Sequence, residues 1–247
     1  MKKIVKRTLI AAGLILVTLV AFLGVRIFRT VKDVRRMTPV ETKEIVRGVF
    51  SIKDANVNLY LVKSAGRYVA FDSGKDSSRV RREMGKLNID PADVAAVFLT
   101  HADSDHTGGL PLFQNAAVYL ANEEEQMVDG RKARFFVFKN KLTRKHILLN
   151  DNETVEIDSV RVTALLTPGH TPGSMCYLVD GRWLFAGDTM RLTSGRAGIF
   201  SRTANMDSGC QLESLKKLAG LTGVRMIFTA HFGYSDSFEK TFEGFNR

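Results

Sequence analysis

The feature that most constrains this chain is a cluster of metal-binding side chains that closely follows an apolar segment. Residues 94–99 read Val-Ala-Ala-Val-Phe-Leu, which is typical of a buried strand. Next come His101, Asp103, Asp105 and His106, so two imidazoles and two carboxylates fall within six positions. Folds that combine strands and helices carry their binding sites beyond the carboxyl ends of strands. The pattern therefore predicts an α/β fold with a metal or catalytic site at one edge of a sheet.

Three later segments repeat this arrangement with one candidate ligand each. His170 lies in the turn Thr-Pro-Gly-His-Thr-Pro-Gly-Ser, Asp188 follows Phe-Ala-Gly, and His231 follows the apolar residues 226–230. A single aspartate or histidine at the end of a strand is usually a turn former or a core residue. Four of the five histidines of the chain occupy such positions, however, and together with the aspartates they predict a metal site.

Apolar patterning elsewhere predicts a strand-rich domain with few helices. Helices are expected over 76–87, over 211–221 and from Phe238 onward. Strands are expected over 45–52, 57–62, 68–71, 94–99, 118–121, 154–157, 160–166, 175–179, 183–186 and 226–230. Both halves of the chain have strands that end in metal-binding residues. This organisation indicates two βα units that face each other across a shared site.

Positive charge is concentrated at the amino terminus. Residues 1–36 hold nine Lys or Arg and one acid, so they carry +8 of the formal net charge of +10. The remaining residues are nearly neutral, and a general nucleic-acid-binding surface is therefore not indicated.

The basic residues flank an uncharged stretch from Thr8 to Val25. Its length of roughly 27 Å as a helix is close to the thickness of a bilayer core. Residues 1–28 are therefore interpreted as a signal-anchor that crosses a membrane once, 29–43 as a polar linker and 44–247 as the folded domain. A cleaved signal peptide is the alternative, but no clear small-x-small cleavage site follows. The basic residues before the span favour a domain on the extracytoplasmic side.

The segment 131–145 combines basic and aromatic residues. It holds seven Lys or Arg and no acid, interleaved with Phe135, Phe136 and Phe138. The favoured interpretation is a hairpin whose phenylalanines pack inward beneath a solvated basic face. An active-site flap that selects anionic or amphiphilic substrates is the alternative.

The strand-end motifs resemble those of the metallo-β-lactamase superfamily over roughly Val46 to Phe245. The resemblance implies an αββα sandwich, here preceded by one transmembrane helix, with a dinuclear metal site between two halves. His101, Asp103 and His170 would bind the first metal, and Asp105, His106 and His231 the second. Asp188 would bridge the two metals, and Asp72 would orient the ligands from behind.

Asp103 departs from the family pattern, because the family usually has a second histidine at this position. Aspartate can bind zinc, but its harder oxygen moves the preference of the site somewhat toward iron or manganese. A carboxylate also occurs here in the flavodiiron branch of the superfamily. The expected cofactors are two divalent metals, with zinc favoured and iron or manganese as alternatives. A weakened site or a site with one metal is a further possibility.

The resemblance implies a hydrolase in which the metals activate water for attack on a small ester, thioester, lactone or amide. Asp105 would accept or orient the proton, and Tyr234 would donate to the oxyanion. The turn around His170 and the segment before Asp188 are most similar to the glyoxalase II branch. A phosphodiesterase, a diiron redox protein and a non-enzymatic membrane scaffold are the alternatives.

Overall fold

The computed structural model of the chain describes residues 2–134 and 140–245, with side chains from residue 13 onward. Phe135, Phe136, Phe138 and Lys139, which belong to the basic and aromatic segment, lie outside the described residues. The chain divides into two compact units, residues 1–37 and 38–247.

The first unit is a long apolar helix, α1, that spans Lys2–Val34. It continues six residues into the segment predicted as a linker, because the chain has no proline between residues 29 and 38 to end the helix. Gly13–Val34 is long and apolar enough to cross a membrane, with a mean hydropathy of 2.1 and no buried side chains. An apolar helix near an amino terminus can equally be a signal sequence.

The second unit begins with a seven-stranded sheet whose strands follow chain order. The first four strands pair antiparallel, and β4 to β7 pair parallel. The strands are β1 Lys43–Val46, β2 Val49–Asp54, β3 Val57–Ser64, β4 Arg67–Phe71, β5 Val94–Phe98, β6 Ala117–Ala121 and β7 Ile147–Leu149. The helices within this half are α2 Ser77–Gly85, α3 Ser104–Thr107 and α4 Glu125–Val128.

A second sheet of six strands has the order β15-β14-β11-β10-β9-β8. Strands β12 and β13 form a separate hairpin. The strands are β8 Thr154–Ile157, β9 Val160–Leu166, β10 Met175–Val179, β11 Trp183–Phe185, β12 Arg191–Thr193, β13 Arg196–Gly198, β14 Met226–Phe228 and β15 Tyr234–Ser235. The helices of this half are α5 Ser208–Ala219 and α6 Phe238–Thr241.

The two sheets pack face to face around an aromatic core. Phe71 of β4 stacks on Phe185 of β11 with ring centroids 4.0 Å apart, and Phe98 and Tyr177 extend this contact. Helix α2 covers the outer face of the first sheet, and α5 covers that of the second. The αββα sandwich predicted from the sequence is thereby confirmed.

Local differences from the predicted elements have local causes. The strand expected over 45–52 is divided into β1 and β2, because Gly48 has a φ of 82° and turns the chain into a hairpin. Helix α5 begins three residues before its predicted start, since the Asp207 carboxylate caps it by accepting from the backbone N–H groups of Gly209 and Cys210.

Candidate metal centre

The candidate ligands are carried by loops that follow strands of both sheets. The first four follow β5, while His170 follows β9, Asp188 follows β11 and His231 follows β14. Strands β9, β11 and β14 run in the same direction, since β10 is antiparallel to both β9 and β11 and β14 is parallel to β11. Their carboxyl ends therefore lie at one edge of the second sheet, which places the three ligands together.

Gly187 allows two of these loops to approach each other closely. Gly187 has a φ of 48°, and a Cβ atom at this position would lie 2.4 Å from the Thr100 hydroxyl oxygen. Glycine alone fits there, and it allows Asp188 to approach the residues that follow β5. Asp103 takes the N-cap position of α3 without capping the helix through its side chain, which faces the site instead.

The first group of ligands consists of His101, Asp103 and His170. The Oδ2 atom of Asp103 lies 3.5 Å from Nε2 of His101 and 3.4 Å from Nε2 of His170. The potential ligand atoms of the three residues all lie within 4.8 Å of one another. This is the set predicted to bind the first metal.

The second group consists of Asp105, His106 and His231. The Oδ2 atom of Asp105 lies 3.5 Å from Nε2 of His231 and 4.0 Å from Nε2 of His106. Asp188 lies between the two groups. Its Oδ1 atom is 3.3 Å from His231 Nε2 and 3.6 Å from His106 Nε2, while its Oδ2 atom is 3.4 Å from His170 Nε2.

Three buried polar atoms at the centre have no hydrogen-bond partner among the described residues: Nε2 of His101, Nε2 of His106 and Oδ1 of Asp188. Leaving such atoms buried and unpaired costs free energy, and a cation bound by their lone pairs removes that cost. The donor set of imidazole nitrogens and carboxylate oxygens suits zinc, and also iron or manganese. The residues present therefore fit the metals that the family implies.

Hydrogen bonds on the outer side of each imidazole set its orientation. Nδ1 of His106 donates to Asp72 at 2.8 Å, Nδ1 of His231 to the Asn56 carbonyl at 2.6 Å and Nδ1 of His170 to Oδ1 of Asn205 at 3.2 Å. With the proton on Nδ1, the neutral ring has its lone pair on Nε2, which faces the centre. Such outer contacts fix the tautomer that a metal requires.

Asp72 also holds the backbone from which the first ligands extend. Its carboxylate accepts from the Thr100 backbone N–H at 2.7 Å and from the Thr100 hydroxyl at 2.9 Å. Because that hydroxyl donates to Asp72, its oxygen accepts from Nδ1 of His101 at 3.1 Å. Asp72 thus contacts both the outer side of His106 and the backbone of Thr100, and its orienting role stays a prediction.

The electrostatics of the centre favour added positive charge. Burial alone would lower the pKa of His106, but the carboxylates of Asp72, Asp188 and Asp105 raise it well above its usual value. Burial likewise opposes protonation of His231, whose pKa is nevertheless raised, chiefly by Asp188. The pKa of Asp188 is held far below its usual range by His231 and His106 despite its burial. A divalent cation supplies the charge that this cluster favours.

Arg134 belongs to the site but was not predicted from the sequence. Its Nη2 atom lies 2.9 Å from Oδ2 of Asp103, and its Nη1 donates to the His170 carbonyl at 2.7 Å. Asn140 donates to the other oxygen of Asp103 at 2.8 Å. Nothing in the sequence distinguishes Arg134 from the six other basic residues of segment 131–145.

Glu124 is a second residue that the sequence analysis missed. It is fully buried, and its Oε1 accepts from the Ala102 backbone N–H at 3.0 Å. Its Oε2 accepts from the Thr171 hydroxyl at 2.7 Å and from the Gly173 backbone N–H at 3.0 Å. Burial raises the pKa of Glu124 to about 7, although these donors oppose the shift. Glu124 follows β6, so its position at a strand end was a signal that could have identified it.

Replacing Glu124 by glutamine is expected to weaken both folding and metal binding. Both oxygens of Glu124 accept hydrogen bonds, so the amide nitrogen of glutamine must face at least one donor. We expect the free energy of unfolding to fall by about 1–3 kcal/mol. Metal affinity should fall as well, because the contacts of Glu124 join the loop after β5 to the loop that carries His170. Thermal denaturation and metal titration would measure the two effects.

The neighbouring Glu123→Gln variant is the control for this prediction, because Glu123 makes none of these three contacts. A Glu124→Gln protein that equals both the wild type and this control in stability and metal affinity would contradict the proposed joining role.

Tyr234 does not join the other candidate residues. The chain reverses at Gly233, which has a φ of 74°, and Tyr234 enters β15 opposite Phe228. Its ring packs near Phe228 and beneath the Lys43 ammonium group, and the residue is 37% exposed. None of these contacts is with a candidate ligand, so its predicted role as an oxyanion donor gains no support from the fold.

Two facing sheets that bring carboxylates and imidazoles together at their edges define a metal-binding αββα protein. The sequence pattern of the metallo-β-lactamase superfamily matches residues 52–231. The chain belongs to this superfamily.

Similar proteins include one named as a zinc-dependent hydrolase and one named as a lactamase-like protein. The probable polyketide biosynthesis zinc-dependent hydrolase PksB of Bacillus subtilis (strain 168) is 34% identical over 125 residues, which cover 49% of each chain. The lactamase-like protein nscB of Trichophyton rubrum is 28% identical over 201 residues, which cover 77% of this chain and 56% of the relative. The chain thus spans about half the length of the curated relatives it matches.

Solved structures share the fold. A metallo-β-lactamase with a HARLDQ motif from Cronobacter sakazakii superposes with a TM-score of 0.63 at 24% identity, covering 81% of each chain. A metallo-β-lactamase family protein from Thermus thermophilus gives 0.62 at 24% identity, covering 81% of this chain and 78% of the other. The comparisons confirm the predicted superfamily and fold, while the activity, reaction and substrate of this chain are matters for proposal.

Proposed function

We propose that this chain is a hydrolase whose site binds two divalent metals, most favourably zinc, and cleaves a small ester, thioester, lactone or amide. The observation that carries the proposal is the position of Asp188, whose two oxygens face the imidazoles of both ligand groups. The zinc-dependent hydrolase among its relatives supports the choice of metal. The seven candidate ligands are His101, Asp103, Asp105, His106, His170, Asp188 and His231.

Metals held by these residues would acidify a water molecule and polarise the carbonyl oxygen of a substrate. The side chain of Asp105 is 31% exposed, which exceeds the exposure of Asp103 and Asp188. Asp105 can therefore reach the water on the open side of the site and take its proton. The four imidazoles keep their protons on Nδ1, where the outer hydrogen bonds hold them.

An aromatic side chain gives the proposed substrate site an apolar wall. The Phe200 ring lies with its centroid 5.0 Å from that of His170, 5.6 Å from that of His231 and 5.8 Å from that of Phe232. Apolar side chains beside a few convergent polar groups are typical of small-molecule sites. This surface favours a substrate with an apolar group next to the carbonyl carbon.

The phosphodiesterase alternative gains less support. It relied on the basic segment 131–145 as a phosphate-binding surface. Arg134 faces the ligands Asp103 and His170, and Arg144 donates to the carbonyls of Phe113, Gln114 and Ala116. Arg131 pairs with Asp129, so at least three of the seven basic side chains make contacts within the fold.

The proposal is tested by the metal content and activity of one purified protein. The full chain in detergent, prepared without added metal, is analysed by elemental mass spectrometry and assayed on a panel of thioesters, lactones, esters and amides. We expect zinc in both sites and turnover of at least one carbonyl substrate. A protein that binds no zinc, iron or manganese would overturn the proposal, and iron with oxygen consumption would favour the diiron alternative.

A pair of histidine variants makes this test specific. His106→Gln should lose bound metal and activity. His146→Gln should keep both, because Nε2 of His146 contacts Glu125 and not a candidate ligand. Equal loss in the two variants would point to general misfolding and not to a metal site.

We also propose that α1 anchors the chain in a membrane with residues 38–247 on the extracytoplasmic side. The exposed apolar side chains of Gly13–Val34 support this proposal. The full chain is expected to stay in the membrane fraction after an alkaline wash, and residues 38–247 expressed alone should be released. Protease added to intact cells should degrade the domain. Recovery of a shortened, released protein would instead identify a cleaved signal sequence.

A further inference from the structure

A buried guanidinium group lies inside the first ligand group. Nη2 of Arg134 is 2.9 Å from Oδ2 of Asp103 and 3.2 Å from Nε2 of His170, and Arg134 is only 6% exposed. On the inner side of the group, Oδ2 of Asp103 also faces Nε2 of His101, and Nε2 of His170 also faces Oδ2 of Asp188. Arg134 therefore contacts ligand atoms and not merely the outer side of the ligands.

The hydrogen-bonding capacity of these atoms is limited. Nδ1 of His170 donates to Asn205, so Nε2 of the neutral ring is an acceptor with a single lone pair. An N–H group of Arg134 and a metal cannot both use that lone pair. At Asp103, Asn140 occupies Oδ1 and Arg134 occupies Oδ2, the oxygen that faces the histidines.

The second ligand group differs in this respect. Nε2 of His106 and Oδ1 of Asp188 are buried without a hydrogen-bond partner among the residues described, as is Nε2 of His101 in the first group. What distinguishes the first group is that its other two ligand atoms, on Asp103 and His170, contact Arg134. A metal can bind at the second group without displacing a hydrogen bond from these atoms of His106 and Asp188. At the first group, by contrast, a charge-assisted pair between a guanidinium and a carboxylate must be broken, and such hydrogen bonds are among the stronger ones.

Asp103 stands where the superfamily usually has a histidine, and this difference explains why the Arg134 guanidinium lies in the first ligand group. Asp103 adds a negative charge to a cluster that already contains the buried carboxylates of Asp72 and Asp188 and the partly exposed carboxylate of Asp105. A buried carboxylate without a partner is costly, and the guanidinium of Arg134 balances its charge when no metal is bound. The same charge opposes a metal that approaches the first group.

We propose that Arg134 competes with the first metal for Asp103 and His170, so that the two sites fill in order. The second site, formed by Asp105, His106, His231 and Asp188, fills first and binds more tightly. The first site fills only when Arg134 releases its two contacts. This inference rests on the proposed function in one respect, namely that the chain binds divalent metal.

The experiment is a titration of the metal-free full chain with Zn²⁺ against a chromophoric chelator. The wild type should bind in two steps whose affinities differ by at least about tenfold, the range expected for breaking a charge-assisted hydrogen bond. Arg134→Met should strengthen the weaker step by a similar factor and leave the tighter step unchanged. His231→Gln should remove the tighter step, which assigns it to the second site.

Two further variants separate competition from general charge. Lys141→Met removes one exposed positive charge from the same segment and should leave both steps as in the wild type. Arg134→Lys keeps the charge but lacks the planar fork that reaches two acceptors, so its weaker step should lie between those of the wild type and Arg134→Met. If circular dichroism shows that Arg134→Met does not fold, the weaker binding step is compared between the wild type and Arg134→Lys instead.

The outcomes distinguish this inference from the proposed function. Competition by Arg134 would be overturned if the wild type bound zinc in two equal steps, or if the Arg134 variants did not change the weaker step. Either result would leave the proposed metal-dependent hydrolase unaffected. Absence of any binding step in the wild type would overturn the proposed function itself.

Discussion

Replacing Asp188 by asparagine is expected to lower kcat/KM by at least about 10³-fold, which corresponds to roughly 4 kcal/mol of transition-state stabilisation. Asp188 places one oxygen toward His106 and His231 and the other toward His170. Asparagine keeps only one oxygen, and its amide N–H₂ group would face the lone pair of at least one imidazole. The variant therefore loses the group that joins the two ligand sets, together with one negative charge.

The measurement combines metal content with kcat/KM on the best substrate from the carbonyl panel. Asp236→Asn is the matched control, since Asp236 is exposed and lies five residues after the candidate ligand His231. We expect the control to keep the activity and metal content of the wild type. An Asp188→Asn protein that retained two metals and full activity would contradict the bridging role and, with it, the dinuclear proposal.

The sequence was most informative where a ligand follows a strand directly. Apolar strands are recognisable from their residues, and His101, His170 and His231 each follow such a strand after a turn. Strand direction decides which loops lie at the same edge of a sheet. Identifying the strand ends was therefore sufficient to predict that candidate ligands up to 130 positions apart in the chain lie close together. The strand-end pattern predicted an α/β fold and the candidate ligands, whereas the αββα sandwich and the division of the ligands into two groups were implied by the resemblance to the superfamily.

Contacts that depend on the path of a loop were not predictable in this way. Arg134 lies in segment 131–145, where seven similar side chains offer no periodic pattern that selects one of them. Tyr234 was assigned to the site from its distance along the chain, but the reversal at Gly233 directs it to Phe228. Glu124 follows a strand like the ligands, yet its role depends on donors from two other loops.

The candidate ligand His106 has one hydrogen bond on its outer side, to Asp72, and changing that bond is expected to have the second large effect. In the Asp72→Asn variant, the asparagine oxygen can still accept from the Thr100 N–H, which leaves the amide N–H₂ group facing Nδ1 of His106. A donor at this position favours the tautomer with its proton on Nε2. That atom is the one directed at Asp188 and Asp105. His106 would then present an N–H group to the metal.

We therefore expect the Asp72→Asn variant to bind metal at the second site about 10- to 100-fold more weakly, the range seen when a partner of a ligating histidine is changed. The free energy of unfolding should fall by about 1–3 kcal/mol, because the Thr100 hydroxyl loses part of its acceptor. Zinc titration and chemical denaturation would measure the two effects separately.

The control is Asp54→Asn, a substitution of another fully buried carboxylate that accepts from the backbone of Lys75 and Asp76 and from Arg79. This variant should lose stability without a matching loss of metal affinity, since Asp54 contacts no ligating imidazole. If both variants lost stability and metal affinity in proportion, Asp72 would act by supporting the fold and not by fixing the tautomer of His106. A loss of metal affinity confined to Asp72→Asn would support the tautomer explanation, because both carboxylates are buried and hydrogen-bonded to the backbone, and of the two only Asp72 contacts a candidate ligand imidazole.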